Sequence, residues 1–199
     1  NSTYAFNIYE GKTITLKNGG TINTSTNSFI GLAGGKLIVD ATSKILANQI
    51  MFAQSKGTLE LSHASNLASN THICVKDRSE NADAKLVLTD CGEAYFIKNL
   101  RPLRKSQLSI DLNGAELHIA NVAAYQPDAK GTDFALTFLD FENGLVKVDG
   151  WTTELISSGE FEISAGDKIT LVAYDKAGKL LDGLWSVDAS GYLANSAIP

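Results

Sequence analysis

Short runs in which apolar and polar residues alternate recur along the chain at a near-constant interval. Four of them share a small or polar residue, a polar residue and then Leu-x-(Val/Ile/Leu). They are Gly35-Lys36-Leu37-Ile38-Val39-Asp40, Gly57-Thr58-Leu59-Glu60-Leu61-Ser62, Ala84-Lys85-Leu86-Val87-Leu88-Thr89 and Ser106-Gln107-Leu108-Ser109-Ile110-Asp111. An earlier copy is Lys12-Thr13-Ile14-Thr15-Leu16. The anchors Ile14, Leu37, Leu59, Leu86 and Leu108 are spaced by 23, 22, 27 and 22 residues. Period-two alternation is the mark of a strand with one buried face. A second apolar stretch follows within the copies: Ile45-Leu46, Leu67 and Leu117-His118-Ile119. Turns rich in Gly, Asn, Ser and Asp separate the runs. No useful helical period emerges, and the ambiguous stretch Asn48 to Gln54 reads better as strand.

Several short strands per repeat, with repeats of about 22 residues, predict a right-handed parallel β-solenoid. Each coil leaves its inward side chains half-covered, and the next coil stacks on them. A β-sandwich also places turns every 8–12 residues, but it does not require so regular a spacing. The handedness follows the general preference of parallel crossovers. From about Thr132 the texture changes, with Phe134, Phe138, Phe141, Trp151, Phe161 and Trp185 close together. Hairpin signals appear at Asp175-Lys176-Ala177-Gly178 and Asp188-Ala189-Ser190. The expected organisation is solenoid coils over 1–131 and a hairpin-rich capping module over 132–199, which shields the last coil's open edge.

The 199 residues are 44% hydrophobic and carry a net charge of −5, which lacks the basic footprint of a nucleic-acid binder. No run approaches the roughly 20 apolar residues of a membrane helix. The chain starts at Asn1 without a signal-peptide pattern, so a mature or excised fragment is expected. Two cysteines, Cys74 and Cys91, flank the polar stretch Lys76-Asp77-Arg78-Ser79-Glu80-Asn81 inside the long repeat. A disulfide across a surface excursion is the expectation carried forward, with two free buried thiols as the alternative.

The closing third is Gly166-Asp167-Lys168-Ile169-Thr170-Leu171-Val172, then Gly178, Gly183-Leu184-Trp185 and Gly191-Tyr192-Leu193. It resembles the end of autotransporter passenger domains, which follows Gly-Asp-x-apolar-x-Leu-apolar, a glycine turn, a Gly-aromatic strand and a Tyr-apolar strand. The upstream Leu-x-Val runs look like passenger β-helix rungs. Two departures are the cysteines and the lack of a barrel after Pro199. The resemblance implies a secreted or bacterial cell-surface β-helix. Its group spans adhesion, self-association and proteolysis.

Few residues fall into a catalytic or metal-binding pattern. His63, His72 and His118 have serines nearby but no Gly-x-Ser-x-Gly elbow. No zinc spacing, calcium repeat or phosphate loop occurs, so neither a metal nor a cofactor is implied. If Asp40 stacks with Ser62, Thr89 and Asp111, the two acids lie about 14 Å apart, too far for a glycosidase pair. The clearest charge feature is Lys98, Arg101, Arg104 and Lys105, a basic patch in an acidic chain. Arg101, Arg104 and Lys105 are the candidate ligand residues, suited to sulfated or carboxylated glycans. The expected function is an adhesin-like binding or self-association module without enzymatic activity. Its partner would be a host or bacterial surface glycan or protein, or a second copy. The alternatives are a carbohydrate-active enzyme, such as a polysaccharide lyase or glycoside hydrolase, and a purely structural stalk.

Overall fold

The computed structural model describes residues 3–24, 28–77, 81–124, 131–151, 159–164 and 166–198. The first coil runs through β1 (Thr3–Tyr9), β2 (Thr13–Leu16) and β3 (Thr21–Asn23). The second repeats it with β4 (Ser28–Ala33), β5 (Lys36–Val39) and β6 (Lys44–Leu46). The third has β7 (Gln49–Phe52) and β8 (Thr58–Leu61), and Leu67 takes the third place as a single parallel bridge to Ile45. The fourth is β9 (His72–Val75), β10 (Lys85–Leu88) and β11 (Tyr95–Ile97). The fifth is β12 (Asn99–Pro102), β13 (Lys105–Asp111) and β14 (Glu116–Ile119). Beyond them come β15 (Asp133–Leu139), β16 (Leu145–Val148), β17 (Glu160–Ser164), β18 (Asp167–Ala173), β19 (Trp185–Val187) and β20 (Leu193–Asn195).

Stacking gives three faces and a β-solenoid of about five turns. Sheet A is β1-β4-β7-β9-β12, parallel throughout. Sheet B runs β2-β5-β8-β10-β13-β15-β18, also parallel, with β17 antiparallel at its end. The third face is made of two short sheets, β3-β6 and β11-β14-β16. Inward residues of all three faces meet in one core, where Leu37, Leu59, Leu86, Ile50, Ile73 and Leu117 are fully buried. Each such side chain contributes about 1.5–3 kcal/mol relative to exposure. Ile14 belongs to the same column but is 38% exposed, because β2 has a strand on one side only among the described residues.

The corners are fixed by polar groups that satisfy the turning backbone. Asn66, fully buried, accepts from the N–H groups of Ser62 and His63 and donates to the carbonyls of Asp40 and Ser43. That one amide ties the third coil's corner to the second's. At the corner between sheets A and B, Gly57 has φ +101°, and a Cβ there would meet the Gly35 carbonyl at 2.8 Å. Only glycine accepts both that backbone and that approach.

Two expectations change in detail. Leu86 stacks on Ile110, not on Leu108, which stacks on Leu136 of the next coil. Only two residues, Leu103 and Arg104, separate β12 from β13, so β13 enters the sheet early and β10 pairs with its second half alone. A two-residue slip keeps every side chain on its own face, so alternation does not reveal it. The change of texture at Thr132 is not a change of pairing either. Parallel stacking continues through β15 and β18, and Phe134 and Phe138 occupy inward columns on top of Ser106 and Ile110. The hairpin strands β19 and β20 pair antiparallel, and Trp185 packs against Phe138 and Phe141. Trp151 is half-buried, and the Phe161 side chain lies outside the described residues.

Candidate functional site

The predicted basic residues are divided between two faces. Arg101 lies in β12 on the outer side of sheet A, with its Cα opposite Cys74. Arg104 sits in the corner at φ +53° and pairs with Asp77 at 3.6 Å. Lys105 opens β13 in sheet B, in register with Asp133. Arg104 therefore has an acid as its partner, while Lys105 faces Asp133 in the ladder without an ion pair among the described residues. Arg101 and the exposed Lys98 form no ion pair among the described residues. Arg101 on sheet A and Lys98 at the corner before it lie next to each other, apart from Arg104 and from Lys105 on sheet B. Arg78, the chain's remaining arginine, lies outside the described residues.

Next to Arg101 runs a polar lane outside the apolar repeat. Gln49, His72 and Asn99 are in register on β7, β9 and β12, and Asn121 follows at the next corner. Asn121 Nδ2 donates to Asn99 Oδ1 at 2.9 Å, and Asn99 Nδ2 donates to His72 Nδ1 at 2.7 Å. An amide nitrogen only donates, so His72 Nδ1 is an acceptor and its ring is neutral, with the proton on Nε2. Burial, then the positive charges of Arg101 and Lys98, lower the pKa of His72. The signal was present in the sequence. Gln49-Ile50, His72-Ile73, Asn99-Leu100 and Asn121-Val122 each put a polar residue before an apolar one, at intervals of 23, 27 and 22 residues.

The neighbouring outward column, Gly31, Met51, Cys74 and Arg101, is apolar and buried at Met51 and Cys74. These two cluster, apart from the main core, with Phe29, which begins the Gln49 column with Tyr4. Tyr4 lies over this cluster, with its ring 3.9 Å from that of Phe29 and its hydroxyl 3.6 Å from Met51 Sδ. Gly31 makes the approach possible, since a Cβ there would meet the Tyr4 ring at 2.7 Å.

The expected disulfide is not formed. Both cysteines are free thiols. Cys74 is buried in β9 of sheet A, whereas Cys91 follows β10 at the corner between sheet B and the third face, with its Sγ 3.3 Å from the Glu93 carbonyl. Each belongs to a different face of its coil, which is why the long interval does not bring them together. Burial pushes the Cys74 thiol up to about 12, partly offset by Arg101 and Lys76.

The other candidates stand apart from this lane. His63 caps a short 3₁₀ turn, accepting from Ser65 N–H. His118 Nε2 meets Asp149 Oδ1 at 2.8 Å on the third face. The register places Asp111 two rungs from Glu60, with Val87 between them, and not in line with Asp40. Both of these carboxylates are held by lysines, Glu60 by Lys36 and Asp111 by Lys85. An open groove of about 360 Å³ lies at the far corner and includes Asp111, Asp140, Tyr174 and Asp175. There Asp140 accepts from the Asn143 amide and Asp175 from the Lys179 N–H. Among the described residues no group of three or more His, Cys, Asp or Glu side chains is placed to hold a metal ion. Among the described residues no helix is long and apolar enough to cross a membrane.

The chain matches no protein-family model, no curated protein and no solved structure.

Proposed function

We propose that this protein is a non-enzymatic binding module of a cell surface or secreted assembly, which holds acidic polysaccharide along the outer face of sheet A. The observation that carries the reading is the pair Lys98 and Arg101, cations without ion-pair partners among the described residues, beside a ladder of polar side chains in a chain of net charge −5. An uncompensated guanidinium in an acidic protein is an anion site in search of its anion, and its fork matches carboxylate and sulfate geometry. Parallel stacking repeats the polar column Gln49, His72 and Asn99 at about 4.8 Å per coil. A polymer is favoured by such a face, because many modest contacts add along it without a deep pocket. The surface location rests on the resemblance of the closing stretch to autotransporter passengers.

A glycan array read at low and physiological salt tests the proposal. Sulfated or carboxylated polymers should bind at low salt, fade as exposed charges are screened over about 8 Å, and bind Arg101→Ala poorly. Binding indifferent to salt and to Arg101→Ala contradicts the site. Cleavage of any arrayed glycan overturns the non-enzymatic part.

A further inference from the structure

The hydrogen bonds of the polar lane all point one way. Asn121 donates to Asn99, and Asn99 donates to His72. The chain ends in the His72 Nε2–H, which makes no hydrogen bond among the described residues. One rung away, in register with His72, stands Gln49, which is 7% exposed and whose Nε2 is buried without a partner. Two donors on neighbouring rungs, about 4.8 Å apart in backbone spacing, thus lack an acceptor. Buried polar groups are normally paired, so the site is short of acceptor atoms. Arg101 is two residues beyond Asn99 on the same face of β12, and Lys98 lies just before Asn99, so both positive charges act on His72, one rung away. Polarisation along a hydrogen-bonded chain strengthens the terminal donor.

We infer that His72 and Gln49, with Arg101 and Lys98 beside the imidazole, form a subsite for one anionic group. The ligand class is the carboxylate or sulfate ester of an acidic sugar. The inference rests on the acidic-polysaccharide reading and names the place where one group of that polymer is gripped. Asn99 and Asn121 are positioning residues, which hold the imidazole in the Nε2–H form and touch no ligand themselves.

The test begins with the unaltered protein, so it does not depend on any variant folding. Sodium sulfate and sodium acetate are titrated separately at constant ionic strength, balanced with chloride, while the nitrogen-bound protons of His72 and Gln49 are followed by NMR. Saturable shifts at both residues are expected, and Arg101→Gln should weaken them about fivefold, the loss of one charge-assisted contact. Shifts that chloride reproduces, or that spare His72 and Gln49, overturn the subsite. A second arm measures dextran sulfate and polygalacturonate binding to the protein and to His72→Phe and Gln49→Met, and so separates sulfate from carboxylate as the preferred group. Weaker polymer binding by both variants supports the subsite. Equal binding by protein and variants refutes the subsite and leaves the polysaccharide reading standing. If neither polymer binds while sulfate still titrates His72, the polysaccharide reading fails and a small-anion site remains.

Discussion

Asn99 donates its side-chain amide to Nδ1 of His72 at 2.7 Å, and that single bond decides which imidazole nitrogen carries the proton. Protonating His72 would place a second N–H against the amide donor and force Asn99, and Asn121 behind it, to reverse. Burial, Arg101 and Lys98 all oppose protonation as well. A histidine whose folded pKa lies below its unfolded value of 6.5 binds more protons when unfolded. Its contribution is therefore complete above 6.5 and is lost as pH falls from there toward the folded pKa. Urea melts at about pH 7.5 and about pH 5.5 should show a larger acid loss for the protein than for His72→Gln. An identical loss in both contradicts the neutral, Asn99-bound ring.

The two thiols give a simpler test. Titration of the unfolded, unreduced protein should find two reactive thiols, and a count of zero restores the disulfide. In the folded state Cys91 should react first, because Cys74 is buried and held in its protonated form. Equal rates at both positions would contradict the burial of Cys74.

Asn66 holds two coils at one corner. Asn66→Ala removes an acceptor for two backbone N–H groups and a donor for two carbonyls, all at a fully buried site. The substitution should cost about 2–4 kcal/mol of unfolding free energy, measured by denaturant melts. A loss within about 0.5 kcal/mol, typical of a surface change, would show that the corner does not depend on this side chain.

Asp40 sets an acid limit at the neighbouring corner. The buried Ser43 hydroxyl beside it and the Asn18 N–H, which donates at 2.7 Å, hold its carboxyl at about 2, below the ordinary 3.8. The Ser43 oxygen closes no hydrogen bond of good geometry, so it acts by proximity, while Asn18 and Thr42 make the bonds. A carboxyl with a depressed folded pKa stabilises the fold fully above 3.8, and the benefit drains away as pH falls toward 2. Melting temperatures of Asp40→Asn should converge with those of the unaltered protein across that window. A gap that stays constant rules out this linkage.

Much of the architecture was legible because stacking repeats one alternation. Ile14, Leu37, Leu59 and Leu86 line up in a single inward column as their spacing implies. Leu108 was misplaced because period-two patterns are blind to a two-residue slip. The aromatic density after Thr132 suggested a separate cap, yet Phe134 and Phe138 are larger members of columns begun by smaller residues. The cysteine spacing was suggestive, but sequence distance carries no information on which face of a coil each residue reaches. Arg101 was recognisable from charge alone. Its separation from Arg104 and Lys105 was not, since the corner turns Arg104 toward Asp77 and the register carries Lys105 onto sheet B. The His72 lane escaped notice because scattered polar residues resemble any solvated surface until one hydrogen bond is seen to follow another.

The most direct test of the account is the dissociation constant for dextran sulfate over a salt series, for the unaltered protein and for the double variant Lys98→Ala/Arg101→Ala. The account predicts affinity that falls steadily as salt rises, and a double variant that binds about tenfold more weakly at low salt with a shallower salt dependence. Equal affinity and equal salt dependence in the two proteins would contradict it.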